Sequence, residues 1–89
     1  MAQKVIKFYA TWCGPCKIYG KAFDKVKNEY AGNDEFQFIE VDIDKDTEGL
    51  ANQYKVDSVP TTVRVKENGT TLDRVGRLSV SDLKAFLIE

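Results

Sequence analysis

Two cysteines separated by a glycine and a proline, Cys13-Gly14-Pro15-Cys16, stand at a seam between two apolar patterns. Ahead of them Val5 to Ala10 (VIKFYA) is a short apolar and aromatic run, which reads as a strand. Beyond them Tyr19, Ala22, Phe23, Val26 and Tyr30 recur at three- and four-residue intervals, the apolar stripe of a helix. Pro15 fits there because the first helical turn needs no donor from its backbone. Strand, turn and helix in that order imply an open α/β sheet, with the cysteines where the end of a strand meets the start of a helix.

The remainder of the chain completes the pattern. Ala31-Gly32-Asn33-Asp34 ends the first helix, and Phe36 to Ile43 (FQFIEVDI) reads as a second strand. Asp44-Lys45-Asp46 reads as a polar turn, and Thr47 to Tyr54 as a short helix. Val59-Pro60-Thr61 opens a third strand that runs through Val65, and Asn68-Gly69 marks a hairpin to a fourth, Thr70 to Val75. Ser79 with Asp82 three residues later resembles a capping box, and Leu83, Phe86 and Leu87 give the apolar face of a last helix. The order is β-α-β-α-β-β-α without internal repeat. A parallel βαβ unit joined to an antiparallel hairpin, in a four-stranded mixed sheet with three helices on its faces, is the compact solution.

At 89 residues the chain is long enough for one domain, 1–89, and too short for two. Its hydrophobic content of 43% and charged content of 30% fit a globular protein rather than a disordered one. A net charge of −1 without a basic cluster argues against nucleic acid as a partner. The apolar runs are too short to span a membrane. Met1 to Ile6 has no apolar stretch of signal-peptide length, so a cytoplasmic location is expected, and the chain is expected to be a monomer. The absence of histidine removes the commonest general base and metal ligand, so a base must be a carboxylate, a lysine or a thiolate.

A helix N-terminus offers free backbone donors and roughly half a positive charge, both of which favour a thiolate. Cysteines so placed have their pKa lowered from about 8.5. Cys13 is expected to be exposed at the helix start and to attack a target disulfide. Cys16, a turn deeper and shielded, is expected to resolve the mixed disulfide. Three plainer readings compete. A structural staple closing so short a loop contributes only about 2 kcal/mol. Zinc needs about four ligands, which two cysteines without histidine supply only with a second chain, so no metal is expected. Two inert buried cysteines brought together by chance are the third.

At Trp12-Cys13-Gly14-Pro15-Cys16-Lys17 the sequence resembles the active site of the thioredoxin family. Phe8-Tyr9-Ala10, Val41-Asp42-Ile43-Asp44, Tyr54-Lys55-Val56, Ser58-Val59-Pro60-Thr61, Asn68-Gly69 and Val75-Gly76 extend that resemblance over nearly the whole chain. The resemblance implies a thioredoxin-like fold and a Cys13–Cys16 redox disulfide. It also implies a cis peptide before Pro60, which an X-Pro bond permits at about 0.5–1 kcal/mol. Trp12, Gly14, Pro15, Val59, Pro60 and Gly76 would then border a shallow groove, where a substrate segment adds briefly as a strand. On the residues alone, Pro60 also reads as an ordinary strand-starting proline, and Trp12 as a partly buried aromatic.

Three features depart from the family pattern. The leading strand begins near Gln3, so the usual N-terminal strand and helix are lacking and Phe36 to Ile43 becomes an edge strand. Gln37, Glu40 and Asp42 along it would discourage unwanted pairing. Most thioredoxins carry a buried aspartate six residues before the first cysteine, with a lysine on the neighbouring strand. Here those positions hold Lys7 and Glu40. Glu40 is expected to replace the aspartate as proton acceptor, with Lys7 as its charge partner; the alternative is an exposed pair worth about 0–1 kcal/mol. Lastly, Gly20-Lys21 stands where the family commonly has a helix-kinking proline.

The resemblance implies a protein-disulfide reductase and electron carrier without cofactor, recharged by thioredoxin reductase. Its partners would be disulfide-containing target proteins, with ribonucleotide reductase a family-level candidate. The short fold suggests a glutathione-coupled, glutaredoxin-like carrier as an alternative. A scaffold subunit that grips a partner without redox chemistry is another.

Overall fold

The computed structural model describes residues 2–89. Its sheet holds β1 (Gln3–Tyr9), β2 (Phe36–Asp42), β3 (Thr61–Val65) and β4 (Thr71–Val75) in the order β2-β1-β3-β4. β1 lies parallel to β2 and antiparallel to β3, and β3 is antiparallel to β4. The helices are α1 (Gly14–Glu29), α2 (Leu50–Gln53) and α3 (Val80–Leu87), with a 3₁₀ turn at Ile43–Lys45. This is the expected mixed sheet, with β2 at its edge among the described residues.

Successive side chains of a strand point to opposite faces, and this sorts the core into two layers. On one face Val5 packs with Tyr19, Phe23 and Val26 of α1 and with Leu83, Phe86 and Leu87 of α3. On the other, Ile6 and Phe8 pack with Val41 and Val63, closed over by Leu50, Ala51 and Tyr54. β1 is covered on both sides, which is why its sequence reads as a continuous apolar run rather than an alternation. Ser79 caps α3 by accepting the Asp82 N–H at 3.1 Å. The guanidinium of Arg64, buried on β3, ties the far end of α3 to the sheet. Nη1 donates to the carbonyls of Phe86 (3.0 Å) and Glu89 (2.8 Å), and Nε to Gln3 Oε1 (2.8 Å).

The boundaries differ from the sequence expectations where side chains capture the backbone. The expected Thr47–Tyr54 helix is reduced to Leu50–Gln53. The Asp46 carboxylate accepts the N–H groups of Leu50 (2.9 Å) and Ala51 (2.8 Å), and the positive φ of Gly49 sets the start. Asp42 accepts the Asp44 N–H at 3.0 Å, which draws Ile43 out of β2 and coils the polar turn into the 3₁₀ segment. β3 begins at Thr61 rather than Val59, after a cis Val59–Pro60 bond.

Candidate active site

The end of β1 delivers the chain directly into the first turn of α1. Ala10 is buried there and its carbonyl accepts the Cys13 N–H at 3.2 Å. Cys13 is the N-cap of α1: its backbone is extended and its sulfur accepts the Cys16 N–H at 3.2 Å. Pro15 occupies the first turn, as the missing donor allows. The two Cα atoms are 5.2 Å apart and the sulfurs are joined in a disulfide.

The expected contrast in exposure between the cysteines is absent. Cys13 is 6% exposed and Cys16 4%, because Ala10 lies with them and Tyr9, Ile43 and Val59 pack around all three. What separates the two sulfurs is their surroundings. Cys13 Sγ lies 3.8 Å from the Val59 carbonyl oxygen, against the cis-proline loop. Cys16 instead lines a cavity of about 280 Å³ with Lys7, Tyr9, Ala10, Thr11, Lys17 and Gly20.

The residues expected to border the groove gather beside Cys13. Trp12 is 68% exposed, and its indole N–H donates to Asp44 Oδ2 at 2.9 Å, which fixes the plane of the ring. With Ile43, Ala51, Val56 and Val59 it walls an apolar hollow of about 320 Å³. Gly76, at φ +95°, donates its N–H to the Pro60 carbonyl at 2.8 Å and so braces the loop. Gly14 and Pro15 are exposed above the cysteines. Sequence reasoning had not assigned the support that Asp44 gives Trp12, or the hollow's Ile43, Ala51 and Val56. These residues come from the 3₁₀ turn, α2 and the loop after it, and pattern alone does not say where those segments lie.

Lys7 and Glu40 face each other in the register of β1 and β2, with Nζ 2.8 Å from Oε1. The pair joins a buried lysine to an exposed carboxylate. The Lys7 side chain is 6% exposed and Glu40 38%. Nζ also lies over the rings of Tyr9 (5.0 Å) and Phe23 (5.1 Å). Glu40 lines a separate hollow with Tyr9 and Asp42, and is 4.0 Å from Lys27 through its other oxygen. Desolvation, then the charges of Asp42 and Glu40, push the Tyr9 hydroxyl above its ordinary pKa. Lys7 Nζ lies directly under α1 at Gly20, where a Cβ would meet it at 3.5 Å, an ordinary contact distance.

A disulfide closed across the first turn of a helix, against a cis-proline loop, defines a thiol–disulfide oxidoreductase. The family model described as Thioredoxin matches residues 1–89. The thioredoxin of Mycoplasmoides gallisepticum is 34% identical over 83 residues, 93% of this chain and 79% of that protein. The germline-specific thioredoxin Deadhead of Drosophila melanogaster superposes with a TM-score of 0.81 at 32% identity, over 98% of this chain and 79% of that one. A malarial protein superposes with a TM-score of 0.84 at 29% identity, over 99% and 96% of the two chains. The chain belongs to the thioredoxin family, and its activity is disulfide oxidoreduction.

Proposed function

We propose that the chain reduces disulfides of target proteins, with Cys13 as nucleophile and Cys16 as resolving thiol. The observation that carries this reading is the Cys13 sulfur at the N-cap of α1, accepting the Cys16 N–H at 3.2 Å beside the Val59 carbonyl. A thiolate there gains a charge-assisted hydrogen bond and the helix dipole. It attacks one sulfur of the target disulfide, and the other target sulfur leaves with the bonding electron pair. Cys16, as thiolate, then attacks Cys13 Sγ. The bond from Cys13 to the target breaks, and Cys13–Cys16 closes. Two electrons pass to the target, whose two thiolates take protons from solvent.

Target recognition falls to Trp12, Gly14, Pro15, Val59, Pro60 and Gly76. An extended segment laid against the loop meets its main chain and the hollow beside Trp12, so recognition reads backbone and an apolar neighbour rather than a sequence. Glu40 takes the proton of Cys16 through intervening solvent, with Lys7 as its charge partner. An unchanged rate and pH profile in Glu40→Gln would leave Glu40 as counter-ion alone. The electron donor in this reading is thioredoxin reductase, the setting is the reducing cytoplasm, and ribonucleotide reductase is among the targets.

Insulin-disulfide reduction, run with thioredoxin reductase and separately with glutathione and its reductase, tests the proposal. Turnover with the first donor is expected. Turnover with glutathione alone would favour the glutaredoxin-like carrier, and turnover with neither would overturn the redox reading.

A further inference from the structure

Lys7 lies in the middle of β1, buried on the face that α1 covers. Its ammonium touches Glu40, Tyr9 and Phe23 and approaches α1 at Gly20. Gly20 follows Cys16 by four residues, which puts both on one side of the helix. Lys7 and Cys16 also line the same cavity, whereas Glu40 opens onto another. The charge that faces the resolving sulfur is therefore the cation.

The geometry points to Lys7 as a positioning residue for the redox step: its buried ammonium favours the thiolate of Cys16 and so biases the Cys13/Cys16 couple toward the dithiol. The inference rests on the redox reading of that pair. The other charged or titratable groups around Lys7 and Cys16 are Tyr9 on β1, Glu40 and Asp42 on β2, and Lys17 and Lys27 on α1. Lys17 and Lys27 are exposed and well screened, Tyr9 is neutral near pH 7, and the two carboxylates lie toward the edge of the sheet. Only Lys7 is both charged and walled off from water, where a given charge acts most strongly.

The electron and proton accounting is unchanged by this role. The Cys16 thiol releases its proton through solvent to Glu40, and none passes to Lys7. The resulting thiolate attacks Cys13 Sγ and the target sulfur departs with the electron pair. Lys7 alters how much thiolate is present at a given pH, and how stable the reduced chain is above the pKa of Cys16.

The test is a titration of the Cys16 thiolate by its absorbance near 240 nm in a Cys13→Ser background. Lys7→Met, of matching length and without charge, is expected to raise the midpoint by about one pH unit, a tenfold loss of thiolate below it. Glu40→Gln removes the countercharge, so its midpoint is expected to fall. Both substitutions break the same ion pair, and a merely structural role would move both midpoints the same way. Equal directions, or no shift in Lys7→Met, would overturn the inference. With both cysteines present, Lys7→Met is also expected to shift the equilibrium with glutathione about tenfold toward the disulfide, measured above both midpoints. Should Lys7→Met fail to fold, Lys7→Gln and the charge-retaining Lys7→Arg carry the same contrast, with Arg near the unsubstituted midpoint. Insulin reduction by the unsubstituted chain tests the redox reading separately, so the two ideas fail independently.

Discussion

At the scale of single residues, the chemistry concentrates where one atom serves two purposes. Cys13 Sγ is at once the cap of α1 and the proposed nucleophile, so the hydrogen bond that starts the helix is the one that steadies the thiolate. Cys13→Ser keeps a capping oxygen and is expected to fold normally while losing disulfide reduction by more than about a hundredfold, since an alcohol is scarcely ionised near pH 7. Cys16→Ser is expected to accumulate mixed disulfides with target proteins, visible on non-reducing gels; their absence would remove its resolving role. Arg64 is the structural counterpart. Arg64→Met preserves much of the bulk but strands the carbonyls of Phe86 and Glu89, and a loss of about 2 kcal/mol is expected from urea midpoints.

At the scale of elements, the ends of helices were more legible than their lengths. Ser79 was readable as a cap, and Ser79→Ala is expected to lower stability by about 1 kcal/mol in denaturant unfolding, with redox activity unchanged. α2 was over-read, because Thr47 and Glu48 do not by themselves forbid a helix, but Asp46 and Gly49 define where its first turn begins. A second aspartate, Asp42, accepting the N–H two residues on, converted the predicted turn after β2 into a 3₁₀ segment that brings Asp44 under Trp12. Cys13 and Cys16 were correctly set at a strand-to-helix junction. Their near-equal burial was not readable, since the residues that cover Cys13 come from the 3₁₀ turn and the proline loop.

At the scale of the whole molecule, burial of polar atoms between sheet and helix makes stability depend on pH. The Tyr19 hydroxyl is covered by α1 and β3 and bonds to Thr62 Oγ1; burial raises its pKa from 10.0 to about 12, with the Thr62 bond opposing part of the rise. An unfolded chain ionises this phenol near pH 10, whereas the folded chain keeps it neutral. Its contribution is thus complete below about pH 10 and is lost as pH rises toward 12, roughly 2–3 kcal/mol in all. Denaturant midpoints measured between pH 9 and 12 are expected to fall accordingly, and Tyr19→Phe to flatten that fall while lowering stability at neutral pH. An equally steep fall in Tyr19→Phe would assign the effect to other groups.

The amino-acid sequence by itself determined the element order, the strand–cysteine–helix junction and the family, because each depends on residue types and spacings along a contiguous stretch. Tertiary structure alone decided that Trp12 leans on Asp44, that Gly76 braces Pro60, and that Lys7 rather than Glu40 opens onto the cavity of Cys16. Strand register pairs Lys7 with Glu40, but only the packing of α1 over β1 sets which of the two charges lies behind the sulfur. The sign of an electrostatic effect depends on distance and burial in three dimensions, and neither is written in the order of residues along a chain.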